Sequence, residues 1–596
     1  MATFTAAKLS SNALKVLEHR CLVRDEQGRP AETPEEMFRR VAREVARADK
    51  LYKDRDPSRS EEEFFRMMSS LEFLPNSPTL ANAGTPVGQL AACFVLPVKD
   101  SLDDIFSSIR NMAIVHQSGG GTGFSFSRLR PQGAFVKTSG GKASGPVSFM
   151  RIFDVATEVV RQGGRRRGAN MAVLRVDHPD VLAFATAKLD MKSFSNFNLS
   201  VAVTDSFMDA LAKGAAYELR DPASGGVVSK IKASEVFDMI TTSAWKCGDP
   251  GIIFIDEVNR HNPTPQVGPI EATNPCGEQP LLEYEACNLG SLNILAVTTE
   301  KGIDWNHLRR NVQVAVRFLD NVIDVSRYPL DETVRMTHAN RKIGLGVMGF
   351  AEALIKMGIP YDSEEGIRRG EELMSFMTGE SEKESCRIAR KRGVFPNFDG
   401  SLWRIRRLRM RNAATTTVAP TGTISIIAGV SSGIEPVFAL GYEREALEGE
   451  ILENRNQLFA REMERRNLAS PERMAEVNRR GSIRAMEGIP DDMRRVFGTA
   501  LDIAPLWHVR MQAAFQKHTH SAVSKTVNLP HDATVEDIRQ IYLKAHELKC
   551  KGITVYRYGC KGEQVLKLAD WNQNNPCKPA SPQEGESDDD CSSCRT

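Results

Sequence analysis

Through the first seventy residues, charged and apolar positions interleave at helical intervals, as in Pro34-Glu35-Glu36-Met37-Phe38-Arg39-Arg40-Val41. A small helical N-terminal region is therefore expected over 1–70. The pattern then changes. From 71 to 571, short apolar runs such as Met171-Ala172-Val173-Leu174-Arg175-Val176 alternate with amphipathic stretches such as 307–323. Strand signals alternating with helix signals predict an α/β class, and the pattern leaves open whether the sheet is flat or closed into a barrel. Residues 443–497 are rich in charge and read as a helical insertion on the surface. The stretch 572–596 is built from Asn, Pro, Gln, Ser and Gly with three aspartates at 588–590. It has too little apolar surface to order itself, which predicts a flexible tail. No internal repeat is apparent.

Composition narrows the class further. Of 596 residues, 41% are hydrophobic and 26% charged, with a formal net charge of +2. That balance is ordinary for a globular protein and gives no electrostatic reason to bind nucleic acid or a membrane surface. No apolar run is long enough to span a bilayer, and Met1-Ala2-Thr3-Phe4-Thr5 lacks the start of a signal peptide, so a cytoplasmic protein is expected. Eleven dispersed cysteines do not read as a secreted disulfide framework. Cys21, Cys247 and Cys386 read as packing residues. Cys93, Cys276 and Cys287 lie in distinctive local sequences, and Cys591 and Cys594 form a C-x-x-C close to the end of the chain.

The densest chemistry lies in Asn274-Pro275-Cys276-Gly277-Glu278 and Ala286-Cys287-Asn288-Leu289-Gly290-Ser291. An amide, a thiol and a carboxylate occupy positions 274, 276 and 278, and an extended backbone would turn all three to one side. Pro275 lacks a donor for a sheet ladder, so the segment is expected in a loop or at a sheet edge. Pro420-Thr421-Gly422-Thr423-Ile424-Ser425 combines glycine with hydroxyls where a helix could begin, a setting suited to phosphate oxygens. The glycine run 119–121 matches neither a Walker A nor a Rossmann fingerprint and by itself reads as a flexible loop.

These segments, with Phe73-Leu74-Pro75-Asn76-Ser77-Pro78-Thr79-Leu80, Ala92-Cys93 and Ser118-Gly119-Gly120-Gly121-Thr122-Gly123, resemble the motifs of ribonucleotide reductases in their order, over about residues 70–560. The match is best to the adenosylcobalamin-dependent, class II enzymes. The resemblance implies a ten-stranded α/β barrel of two five-stranded halves, with the 274–278 finger loop threaded through its centre. It implies that Cys276 is the thiyl site taking the ribose 3′-hydrogen, Glu278 the general base for the 3′-hydroxyl, and Asn274 a holder of the ribose hydroxyls. Cys93 and Cys287 would be the dithiol oxidised in each turnover. Ser77, Pro420, Thr421, Gly422, Thr423 and Ile424 would bind the phosphate side of the substrate. Ala92, Gly121, Pro275 and Gly277 would complete the ribose and base side. Deoxynucleotide effectors would meet Asp100, Ser101, Leu102, Arg128 and Lys188, and the basic run Arg165-Arg166-Arg167 lies in the same region.

The resemblance also separates subclasses. Ile553-Thr554-Val555-Tyr556-Arg557-Tyr558-Gly559 lacks the adjacent tyrosines of the class I radical relay, and no glycyl-radical motif is seen. No Asp-x-His-x-x-Gly cobalamin motif occurs, and class II reductases do not need one. The N-terminal region is too short for an ATP-cone. Cys591 and Cys594 are expected to shuttle electrons from thioredoxin or glutaredoxin to the Cys93–Cys287 disulfide. A zinc ribbon would need a second C-x-x-C pair, and only isolated Cys550, Cys560 and Cys577 are available, so no metal is expected. The alternatives are a class I-type catalytic subunit served by a separate metalloprotein, and a silent nucleotide-binding regulator. Di- or triphosphate substrates, and a monomer or homodimer, stay open.

Overall fold

The computed structural model describes residues 8–136, 140–162, 166–446, 450–561 and 566–567. The arginine run at 165–167 and the Cys591/Cys594 pair fall outside the residues or side chains so described.

Three helices, α1 (Ser11–Arg20), α2 (Pro34–Ala46) and α3 (Pro57–Ser69), build the N-terminal region. Their starts follow local chemistry. Thr33 and Glu36 form a capping box ahead of Pro34, and Asp56 caps the turn begun by Pro57. The region has no core of its own. Val41, Phe64 and Met68 share one apolar cluster with Val316, Phe318 and Leu319 of α5 (Trp305–Val325), a helix of the following domain. A buried ionic cluster adds to that seam. Arg317 meets Asp49 at 3.2 Å, and Arg392, at the end of α6 (Glu364–Arg392), meets Asp54 at 3.0 Å and Asp320 at 3.2 Å. Residue 70 is therefore a change of pattern without a physical break.

The remainder winds around a ring of ten strands. One half holds β2 (Cys93–Val95), β3 (Gly121–Ser125), β4 (Asn170–Arg175), β5 (Phe197–Val203) and β6 (Gly251–Phe254), all mutually parallel. The other holds β7 (Ala286–Asn293), β8 (Ile343–Met348), the segment 414–418, β9 (Thr526–Leu529) and β10 (Gly552–Arg557). Segment 414–418 bridges to β8 through Leu345↔Thr416 and, through Val418↔Val523, to the residues leading into β9, both parallel. The halves meet antiparallel at β6–β10 and at β2–β7, which closes the ring. A short β1 (Phe73–Pro75) runs antiparallel along the far end of β7. Closure explains why the strands read as continuous apolar runs: helices cover the outside, and the ring interior packs on itself.

The segment 443–497 departs from the expected all-helical insertion. Its first part is an antiparallel hairpin, Gly441–Ala446 with Glu450–Arg455, and only then come the helices Gln457–Arg465, Pro471–Arg480 and Asp491–Val496. Its charges fall in runs, as in Glu443-Arg444-Glu445, which masked the strand. Phe459, Met463, Val477 and Met493 give the segment its own apolar cluster, shared with Ala351 and Val437 of the barrel. No helix among the described residues is long and apolar enough to cross a membrane.

Candidate functional site

The loop 274–278 forms the tip of a hairpin whose arms are Ala272–Thr273 and Pro280–Leu281. It is not extended, so the three functional groups converge by a different route from strand alternation. Asn274 N–H donates to Gln279 O (3.1 Å), Gly277 N–H donates to Asn274 O (3.1 Å), and Gly277 takes φ +80°. The turn leaves Asn274 and Glu278 buried at its base and Cys276 exposed at its tip.

Both halves of the ring grip this finger. Thr417 Oγ1 and Ala522 N–H each donate to Glu278 O at 2.9 Å, while Asn198 Nδ2 of β5 donates to Pro275 O at 2.8 Å. The glycine run supplies clearance rather than flexibility. A Cβ on Gly123 would stand 1.7 Å from Thr273 O, and one on Gly121 2.9 Å from Pro275 Cγ. Gly120 likewise sits hard against Phe94 and Val115.

Cys93 of β2 and Cys287 of β7 are register partners across the antiparallel junction of the two halves. Such partners have Cα atoms about 4.5–5.5 Å apart, within the span of a disulfide. Asn274 Nδ2 donates to Cys93 Sγ at 3.0 Å, and Glu278 Oε1 lies 3.9 Å from the same sulfur. Asn274 Oδ1 accepts from Gln279 N–H (3.0 Å), so the carboxamide is oriented before any substrate arrives. Cys287 is fully buried, and burial pushes its thiol well above the ordinary range, against the opposing pull of Lys342.

Two chambers flank the finger tip. The first, of about 540 Å³, is bordered by Cys93, Asn274, Pro275, Cys276 and Glu278. Ser77, Ala92 and Gly121 also border it, and Pro420, Thr421, Gly422, Thr423 and Ile424 do so as well. Thirteen of the fourteen residues expected around the substrate thus share one cavity. Gly277 is the exception and faces the second chamber, of about 500 Å³, which Cys276 and Pro275 also border. Helix α7 (Gly422–Ala428) begins where the hydroxyl-rich segment predicts. Thr421 precedes it at φ +52°, held by Gly433 N–H donating to its Oγ1 (2.8 Å). Asn76, Ser291, Arg20 and Arg444 line the first cavity too and were not anticipated. Asn76 and Ser291 lie inside quoted motifs. The two arginines arrive by tertiary packing, which leaves no local signal.

The expected effector residues do not form one cluster. Asp100 pairs with Arg130 (2.7 Å), and Ser101 caps α4 (Leu102–Gln117) by accepting from Asp104 N–H. Arg128 pairs with Glu271 (3.1 Å) and Glu283 (2.7 Å). Lys188 meets Asp249, which borders the second chamber, at 2.8 Å and donates to Phe197 O (2.6 Å). Among the described residues, no hydrogen bond or ion pair joins these groups. No set of three His, Cys, Asp or Glu among them could hold a metal ion.

Comparison with known proteins agrees with this geometry. Residues 91–556 match the family model "Ribonucleotide reductase, barrel domain", and residues 7–88 match "Ribonucleotide reductase, all-alpha domain". A protein of Thermoplasma acidophilum, named vitamin B12-dependent ribonucleoside-diphosphate reductase, is 48% identical over 94% of this chain and 80% of its own. One of Mycobacterium tuberculosis with the same name is 51% identical over 94% and 80%. The solved Actinobacillus ureae class Id ribonucleotide reductase alpha subunit shares the fold, with a TM-score of 0.76 and 22% identity over 92% of this chain and 97% of its own. The chain, with its finger loop and its facing cysteines on a ten-stranded ring, belongs to the ribonucleotide reductase family.

Proposed function

We propose that this chain reduces ribonucleoside diphosphates to 2′-deoxyribonucleotides by thiyl-radical chemistry, with adenosylcobalamin as the radical source. The observation that carries the proposal is Cys276 at the tip of the finger, bordering one chamber that holds the Cys93 thiol and a second that does not. A substrate and a radical source can then be kept apart with a single sulfur between them.

The residues around the second chamber suit a large cofactor. It adjoins an outer chamber of about 1030 Å³, with Phe438, Thr526 and Asn528 bordering both. That volume stands at the upper end of small-molecule sites. Met171, Leu199 and Ile253 give the inner chamber apolar walls, while Ser200 and Asn528 supply hydrogen-bonding groups. These are the residues that would hold adenosylcobalamin, which when bound supplies the one-electron chemistry that removes the hydrogen atom from the Cys276 thiol.

The remaining steps fall to the chain's own groups. The Cys276 thiyl takes the 3′-hydrogen, and Glu278 accepts the 3′-hydroxyl proton. Cys93 gives its proton to the departing 2′-hydroxyl, which leaves as water. The Cys93/Cys287 dithiol becomes a disulfide, its two electrons and the Cys287 proton forming the new C2′–H bond, while Glu278 returns its proton to the 3′-oxygen and Cys276 returns the hydrogen atom to C3′. Asn274 positions the ribose hydroxyls once its amide leaves Cys93. Asp100, Ser101, Leu102, Arg128 and Lys188 would contact a deoxynucleotide effector. Cys591 and Cys594 would pass electrons from thioredoxin or glutaredoxin, and the reading implies a cytoplasmic location.

The test is turnover by the purified chain alone. Activity with adenosylcobalamin, a deoxynucleotide effector and a dithiol supports the proposal. Inactivity under those conditions, rescued by a diiron or dimanganese protein, overturns it in favour of a class I-type subunit.

A further inference from the structure

The substrate cavity is electrically polarised. Among the described residues that border it, the one carboxylate is Glu278, beside Cys93, and the two cationic side chains are Arg20 and Arg444. Arg20 stands beside the segment assigned to the phosphate side, where its NH1 donates to Thr423 Oγ1 at 3.0 Å. Neither arginine belongs to the barrel. Arg20 ends α1 of the N-terminal region, and Arg444 sits on the hairpin strand Gly441–Ala446. The two elements are tied together, since Asn12 Nδ2 of α1 donates to Glu453 O of the hairpin at 2.8 Å. Arg444 and Ile426 of α7 border both this cavity and the outer chamber, which places Arg444 where hairpin and helix meet.

We propose that Arg20 and Arg444 bind the distal phosphate of the substrate, so that phosphate-chain length is read by α1 and the hairpin rather than by the barrel. The inference rests on the reading of the cavity as a ribonucleotide site. A nucleoside diphosphate is neutral at its ribose and concentrates its negative charge at the far end, which matches the cavity's polarity. The guanidinium fork suits phosphate because two N–H donors can meet two oxygens at once. The thiols stay at the opposite end, away from the positive charge.

The test compares CDP with CMP, which differ only in the distal phosphate. Dissociation constants are measured calorimetrically with a deoxynucleotide effector at saturation, so that the effector site is filled. A hydrogen bond to a charged group is worth about 1.5–3 kcal/mol, or roughly 10- to 150-fold in affinity. Wild-type protein should hold CDP at least about 10-fold more tightly than CMP. Arg20→Gln and Arg444→Gln should each lose about 10-fold or more for CDP, with CMP changed about twofold or less, and Arg20→Lys should recover part of the loss. A CDP-to-CMP ratio unchanged in both variants, or an equal loss for both nucleotides, overturns the inference. Should Arg20→Gln fail to fold, Arg444→Gln on the hairpin decides alone. The measurement needs neither cofactor nor turnover, so it separates the two readings. An active reductase whose variants keep the ratio loses the inference alone, whereas a collapsed ratio in an inactive protein supports it while the reductase reading fails.

Discussion

Gly123→Ala is the sharpest probe of the finger, because the fault it introduces is a single methyl group. Its Cβ would lie 1.7 Å from Thr273 O, and ordinary contact begins at 3.4 Å. The finger or β3 must therefore yield by about 1.7 Å. Both are backbone, so no flexible side chain can absorb the shift. Overpacking of this kind costs roughly 1–3 kcal/mol of stability, which a large domain survives. Catalysis is less forgiving, since a misplacement of about 1 Å from a productive geometry can cost about 10²-fold. Thr273 is next to Asn274, so the shift passes directly to the Asn274–Cys93 contact and to the Cys276 tip. The expected result is a folded protein with turnover lowered at least about 100-fold. Gly121→Ala, whose Cβ meets the Pro275 ring at 2.9 and 3.2 Å, should lose much less. The assay is dithiol-driven product formation, with the circular dichroism spectrum and urea midpoint as controls for folding. A Gly123→Ala protein of wild-type activity would falsify the placement of the finger against β3.

Other predictions follow from the same geometry. Asp320 is fully buried, and although burial disfavours its charge, Arg341, Arg411 and Arg392 outweigh it and hold the carboxyl far below the usual range. Its contribution is thus present above the unfolded pKa and lost as pH falls through the folded one. Asp320→Asn should cost about 3–5 kcal/mol at neutral pH and flatten the acid limb of the stability curve, both read by urea unfolding. Cys591→Ser/Cys594→Ser should lose turnover with thioredoxin while keeping much of it with dithiothreitol, and equal activity with both reductants would remove the tail from the electron path.

Much of the chemistry was legible because it is carried by side-chain types in fixed local order. Asn274, Cys276 and Glu278 declared themselves as a set, and Cys93 and Cys287 gained meaning from their neighbours. Their facing register, with 194 positions between them, follows from ring closure, which no local pattern encodes. Closure also explains the glycine run 119–121, which reads by itself as a flexible loop. A glycine run reads as freedom of the backbone, whereas here it is the clearance that lets a finger from elsewhere in the chain pass. Lys188 shows the converse limit: its ion pair with the buried Asp249 is made by folding, and no local pattern encodes it. The hairpin at 441–455 was hidden because a run of charges such as Glu443-Arg444-Glu445 breaks the strand alternation and imitates a solvated helix face.

The dithiol that emerges is unequal, and the inequality predicts its order of reaction. Cys93 borders the substrate cavity and carries the Asn274 amide on its sulfur, whereas Cys287 is fully buried, does not border that cavity, and has its thiol pushed high by burial. Disulfide exchange needs an approachable sulfur and a departing thiolate. An incoming thiolate therefore reaches Cys93 first. It forms a mixed disulfide there and expels Cys287, whose thiolate then takes up a proton, since burial disfavours the charged form. A second thiol from the reductant then frees Cys93. Alkylation tests this without turnover. In reduced Cys287→Ser protein, iodoacetamide should modify Cys93 at a measurable rate. In Cys93→Ser protein, Cys287 should react more slowly by at least about tenfold, because the thiolate is the nucleophile and burial suppresses it. Peptide mapping separates each label from that on Cys276. Equal rates at the two positions would mean that Cys287 is as open as the sulfur that borders the cavity, and the order of exchange argued from that difference would fall.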